Sequence, residues 1–221
     1  GGRAQLPMGP FPLGPFTAEI DAGYWKERSS EAYRYDQEEA KKLLAEAGYP
    51  DGFSGLKFFT YTRPGSPWVP DINEAIASYW GQIGVEAEIV RIDYGAWRPH
   101  WLRAYNDPMS AGQANVLSTM VQYVPILPLH VYYVSTDEGI LKLLDDPEVN
   151  ELADKATTVV DAAKRMQMIQ KAWQIVQDSF VFTPIAAVEA LYAVNQNKIG
   201  KWQIQMGKGQ LGSVYESIEA K

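Results

Sequence analysis

The sequence predicts an α/β domain organised around a parallel strand–helix–strand unit. Three observations predict it. A capped amphipathic helix over 36–47 runs straight into a Tyr-Pro-Asp-Gly turn. Two strand-like stretches, Leu56–Thr62 and Val85–Ile92, flank a helical stretch from Asp71 with short links on both sides. Strongly marked helix starts at Asp146 and Asp161 predict a helical hairpin in the second half.

In the first helix Asp36 occupies the N-cap, with Glu39 three residues on as its capping-box partner. Ala40, Leu43, Leu44 and Ala47 then recur at helical spacing and form one apolar stripe. Gly48 suits the left-handed residue that ends a helix, and Pro50 forbids continuation. Leu56–Thr62 is rich in aromatic and β-branched residues, as a strand is. Arg63-Pro64-Gly65-Ser66-Pro67 breaks it. From Asp71, Ile72, Ile76, Tyr79, Trp80 and Ile83 share one helix side, and Gly84 closes the helix. Val85, Ala87 and Ile89 alternate with Glu86 and Glu88 in the second strand. Two strands joined this way are parallel, with a right-handed crossover.

Residues 1–30 carry Pro7, Pro10, Pro12 and Pro15 and read as neither helix nor good strand. Either they form a tail, or they are an extended segment entering from elsewhere, packed through Leu6, Phe11, Leu13 and Phe16. Tyr94–Arg103 predicts a short helix with Trp97 and Trp101 one turn apart. Pro125 and Pro128 break the apolar 115–135 stretch, which predicts a short helix, a turn and a strand over Leu129–Val134. Asp137 is placed to cap a helix through Leu144. Asp146 as N-cap, Pro147 at N1 and Glu148 in the first turn start the next helix. Val149, Leu152, Ala153, Ala156 and Val160 form its buried stripe. After Asp161, Met166, Ile169, Ala172, Trp173 and Val176 face inward, so the hairpin is expected to cover one face of the sheet. Phe180–Ala187 and Leu191–Val194 predict further strands, and 195–221 a strand or short helix.

Composition excludes several function classes. Of 221 residues 46% are hydrophobic, enough for a sizeable core, and the net charge of −7 disfavours nucleic acid. Without cysteine there is no disulfide framework and no thiolate chemistry. His100 and His130 are too far apart in sequence to suggest a metal site, and the carboxylates of 145–148 are accounted for by capping; no metal or cofactor is expected. No apolar run reaches the length of a membrane span. The seven Trp and thirteen Tyr fill a core, or some of them line a cleft that stacks on sugars or peptide side chains.

The run Tyr35-Asp36 with Ala40-Lys41-Lys42-Leu43-Leu44-Ala45-Glu46-Ala47-Gly48-Tyr49-Pro50-Asp51-Gly52-Phe53, then Ile83-Gly84-Val85, then Asp146-Pro147-Glu148-Val149 through Asp161 and Arg165, resembles the extracellular solute-binding proteins of family 5. These are the peptide, nickel and oligosaccharide receptors of ABC importers. The resemblance implies a periplasmic-binding-protein-like (type II) lobe, with a mixed sheet flanked by helices. It assigns 1–30 to an entry or hinge segment, 31–190 to a C-terminal lobe, and 191–221 to a return segment toward an N-terminal lobe outside these residues. It implies binding of a peptide or similar small solute in an interlobe cleft, with ABC permease subunits as partners. It places the protein in the periplasm or outside the cell, with an export signal, and a lipid anchor as one route of attachment, on a preceding N-terminal part.

The family's ligand-contacting Gly-Trp neighbourhood can be laid on 107–113, where Gln113 stands in place of Trp. The candidate ligand-binding residues are therefore Gly112, Gln113 and Asn115, read as following a strand at the edge where open α/β sheets bind ligands. Asn106, Asp107 and Tyr94 join them, although an Asx turn equally accounts for the first two. A competing reading is a glycoside hydrolase using an Asp/Glu pair drawn from Asp93, Asp107, Glu138 and Glu189. No local pattern pairs any two of these, so no catalytic residue is assigned. Half a cleft desolvates a ligand incompletely, so these 221 residues alone are expected to bind no solute tightly.

Overall fold

A computed structural model describes residues 4–5, 9, 21–102, 105–118, 126–136, 139–188, 194–202 and 218–220. Strand β1, Ala4–Gln5, precedes helix α1, Ala22–Ala32. Helix α1 corrects the expectation that 1–30 holds no helix. Every proline lies well upstream of it, the Asp21 carboxylate accepts from the Tyr24 amide at 2.9 Å, and Trp25 is 1% exposed. A cap and one large buried ring outweigh Gly23 in the first turn.

Helix α2, Gln37–Glu46, starts as its sequence predicts: Asp36 accepts from the Glu39 amide at 3.0 Å. The Glu39 carboxylate lies 3.6 Å from Lys42 Nζ. At the other end the Tyr49 amide reaches the Leu44 carbonyl at 2.8 Å and the Gly48 amide the Ala45 carbonyl at 3.0 Å, a Schellman ending with Gly48 at φ 92°. The apolar stripe of α2 is not fully buried: α2 has no buried residue and Leu43 is 54% exposed.

Strand β2, Phe53–Thr60, helix α3, Val69–Gly81, and strand β3, Val85–Arg91, form the parallel unit. Phe58 pairs with Ile89 and Phe59 with Val90. Helix α4, Tyr94–Trp101, is capped by Asp93, which accepts from the Ala96 amide at 3.0 Å. Strand β4, Ala114–Asn115, joins the other edge of β2 in parallel, giving the order β3-β2-β4. Because side chains alternate along β2, Phe58 meets Trp80 of α3 at 4.8 Å while Phe59 stacks on Trp97 of α4 at 4.2 Å.

A single turn α5, Ile126–Pro128, leads into a π-type turn over Leu129–Tyr133, where a strand was expected. The Val134 amide bonds the Leu129 carbonyl at 3.0 Å, and Leu129, Tyr132 and Tyr133 are buried. Tertiary burial overrides the β propensity of this run. Asp137 lies outside the described residues, and the helix expected to follow it is absent from 139–144. The Leu141 and Leu143 amides instead bond the Val131 and Tyr132 carbonyls, each at 2.8 Å.

Helices α6, Pro147–Thr158, and α7, Ala162–Asp178, start at the predicted caps, Asp146 and Asp161. Val160 is 93% exposed and sits in the link, not in the stripe. The hairpin does not cover the sheet. Val149, Ala153, Ile169, Trp173 and Val176 pack with Trp25, Leu129 and Tyr133 in a core separate from that of Phe58, Phe59, Trp97 and Val116. Trp101 packs against both cores. Phe180 turns with φ 51°, and of the expected strand 180–187 only its end is formed, within β5, Ala187–Val188, antiparallel to β1. Strands β6, Ile199–Lys201, and β7, Glu219–Ala220, pair antiparallel; residues 191–193 lie outside the described residues.

The βαβ unit closes on a backbone contact. The Phe53 amide bonds the Gly84 carbonyl at 3.0 Å, and a Cβ on Gly52, at φ 80°, would lie 1.9 Å from that oxygen. Gly48 has φ 92° but open space around it. Gly52→Ala is therefore expected to destabilise the protein by at least about 2 kcal/mol and Gly48→Ala by only about 1 kcal/mol. Urea unfolding checks this; equal losses would contradict the close approach.

Candidate functional site

The carboxyl ends of the parallel strands converge. Thr60 of β2 continues into Tyr61–Ser66, Asn115 of β4 into Val116–Ser118, and Arg91 of β3 into Ile92–Tyr94. Among the described residues only two ladder pairs join β2 to β4, and side chains extend the junction beyond them. The Tyr61 hydroxyl donates to the Val116 carbonyl at 3.0 Å, Arg63 Nη2 to the Ser118 carbonyl at 2.8 Å, and the Ser66 hydroxyl bonds the Ser118 hydroxyl at 2.9 Å. Burial pushes the Tyr61 hydroxyl above its ordinary pKa, against the pull of the Arg63 charge, so it stays a donor.

A cavity of about 290 Å³ opens at these strand ends. Arg63, Arg98, Trp101 and Ser118 line it, and no carboxylate stands among the described lining residues. Arg63 Nη1 donates to the Tyr94 hydroxyl at 3.2 Å, and its guanidinium carbon lies 5.3 Å from the Tyr94 ring centre. Arg63 Nε and Trp101 Nε1 are buried and have no hydrogen-bond partner among the described residues. A buried donor left unpaired costs about 1–3 kcal/mol, so this corner favours an acceptor, and an anionic one above all.

The predicted site residues divide. Tyr94 is bonded to Arg63 at the strand ends but does not itself line the cavity there. Gly112, Gln113 and Asn115 line a different, larger cavity of about 1330 Å³, bounded also by Tyr33, Tyr35, Tyr79 and Trp80. Among the described residues no strand lies directly before them: Gln113 comes immediately before β4 and Asn115 lies within it, which corrects their expected place after a strand. The Gln113 side-chain oxygen accepts from the Lys57 amide at 2.6 Å, extending the β2–β4 pairing at its amino end. Asn106 is an exposed turn residue.

Asp107 makes an Asx turn. Its carboxylate accepts from the Met109 amide at 2.8 Å and the Ser110 amide at 3.2 Å, and lies 3.1 Å from His100 Nδ1. Burial alone would raise the Asp107 carboxyl, but the Met109 amide, the His100 ring and the Ser110 amide outweigh it and hold it below the ordinary carboxylate value. Of the other carboxylates in the hydrolase reading, Asp93 is spent as the α4 cap, and Glu138 and Glu189 lie outside the described residues.

Sequence reasoning missed Arg63, which was read only as part of a strand-breaking run. An arginine directly after a predicted parallel strand was the available signal, because ligands of open α/β sheets bind outside the carboxyl ends of the strands.

Open α/β sheets bind ligands outside the carboxyl ends of their strands, which is where these donors stand. The model of bacterial extracellular solute-binding proteins, family 5 Middle, matches residues 9–139, more than half of the chain, and the chain belongs to this family. The dipeptide-binding protein of Escherichia coli is 41% identical over 66 residues, covering 29% of this chain and 12% of that protein. Heme-binding protein A of Haemophilus influenzae is 26% identical over 155 residues, 70% of this chain and 28% of that protein. The dipeptide-binding protein of a Pseudoalteromonas species, solved with Met-Leu, shares the fold with a TM-score of 0.68 at 19% identity, covering all of this chain and 41% of that one. The chain thus spans less than a third of the two curated relatives. The family consists of solute-binding proteins, extracellular or periplasmic, as the resemblance implied. Among the described residues no helix is long and apolar enough to cross a membrane.

The lowered Asp107 carboxyl fixes a pH dependence. Its bonds stabilise the 105–113 loop fully above the carboxyl's ordinary value and are lost as pH falls through the lowered value. Amide exchange at Met109 and Ser110 is expected to accelerate, relative to the rest of the chain, only at that acid end. In Asp107→Asn this extra acid step should vanish. An unchanged step in the variant would contradict the assignment.

Proposed function

We infer that this chain is the C-terminal lobe of a longer extracellular solute receptor, and that the strand-end cavity is its half of the binding cleft. The observation that carries this reading is the pair of buried donors without a partner among the described residues, Arg63 Nε and Trp101 Nε1, beside a second cation, Arg98, where parallel strands end. The solute is a small molecule presenting an oxyanion, and a short peptide with a free C-terminal carboxylate fits that description. The dipeptide-binding relatives support the peptide reading. A receptor releases its cargo unchanged, so an enzymatic role is not proposed.

The pairing of β1 with β5 supports a hinge, since it lays the entering segment beside the departing one. The part of segment 1–30 that precedes α1, and segment 191–221, would be the two crossings to the other lobe, since Trp25 of α1 belongs to this lobe's own core. The larger cavity, walled in part by Gly112, Gln113 and Asn115, is proposed as a face toward the rest of the receptor. Delivery to ABC permease subunits follows from the same reading, by hinged closure on the solute.

With one wall of the cleft present, binding is expected to be weak, with a Kd of about 1 mM for a dipeptide. Titration calorimetry with Met-Leu checks it, with Arg63→Ala abolishing the signal. Tight binding by these 221 residues, or binding that survives Arg63→Ala, would contradict the half-cleft reading.

A further inference from the structure

The Arg63 guanidinium is held on two sides. On one, Nη1 donates to the Tyr94 hydroxyl at 3.2 Å. On the other, Nη2 donates at 2.8 Å to the Ser118 carbonyl, in a residue whose hydroxyl is bonded to Ser66 at 2.9 Å. Ser66 is 2% exposed, so that bond is made inside the protein. Tyr94 is itself fixed: its ring lies 5.1 Å from Tyr61 and 6.5 Å from Trp101. These contacts set the plane of the guanidinium; its Nε–H is buried without a partner among the described residues, as is the Trp101 indole N–H, and both residues line the cavity. A guanidinium free to rotate is a general attractor of negative charge. One locked in plane favours a flat two-oxygen group in one orientation.

We propose that Tyr94 and Ser66 are positioning residues for solute binding: they lock the Arg63 plane and so turn it into a selector for carboxylates. The inference rests on the solute-binding reading of the strand-end cavity. Neither residue need touch the solute. Both act through Arg63, so their loss changes which solute binds more than whether the protein folds.

The probes are the dipeptide Ala-Ala and its C-terminal amide, and the readout is the ratio of their affinities, followed by the Trp101 indole N–H and Arg63 Nε–H resonances. The wild type is expected to prefer the free carboxylate by about tenfold or more. Tyr94→Phe keeps the ring, and Ser66→Ala fills nearly the same space. In each the preference should fall to about two- or threefold, with the Arg63 Nε–H resonance broadened or moved. Melting temperature reports the fold separately. Variants that keep the full preference, with binding still dependent on Arg63, overturn the positioning role and leave the cavity reading standing. A wild type that binds neither probe at the strand ends overturns both.

Discussion

Among the described residues only two pairs hold β4 in the sheet, Phe58 with Ala114 and Phe59 with Asn115, and the rest of the site depends on what reinforces them. So short a ladder would fray. It is extended at the amino end by the Gln113 side chain on the Lys57 amide, and at the carboxyl end by Tyr61, Arg63 and Ser66 reaching residues 116–118. Side chains here do the work of backbone pairing. The same bonds that close the sheet also hold Arg63, so in the proposed reading stability and recognition share one set of atoms.

The sheet also explains why the molecule has two hydrophobic cores. Alternation along β2 sends Phe58 to α3 and Phe59 to α4, which occupies both faces of the βαβ unit. The α6–α7 hairpin then has no sheet face to cover and buries its stripe on Trp25, Leu129 and Tyr133. Between the two units lies the larger cavity, rimmed by half-exposed or exposed aromatic residues such as Tyr35 and Tyr79. The smaller cavity, at the strand ends, is lined by Arg63 and Arg98, and by Trp101.

Much of the fold was legible because its signals are local. Asp36, Asp146 and Asp161 cap the helices they were expected to cap, and Gly48 ends α2 in the left-handed conformation. The parallel pairing of β2 and β3 followed from strand, helix and strand with short links. The failures are long-range. Nothing near Leu129–Tyr133 shows that its aromatic residues will meet α7, so the β-rich composition misleads. Nothing near Ala22 shows that Trp25 will be buried under the hairpin. The long-range partners of the candidate site residues were not legible: nothing near Tyr94 shows its bond to Arg63, and nothing near Gln113 shows its bond to the Lys57 amide.

The central claim is that solute meets this lobe at the carboxyl ends of β2, β3 and β4. Mapping amide chemical shifts while a dipeptide is titrated into the labelled protein tests it most directly. The account predicts that the perturbed residues cluster at 61–66, 92–98 and 116–118. Perturbations centred on 33–37 and 112–115, with the strand ends silent, would contradict it.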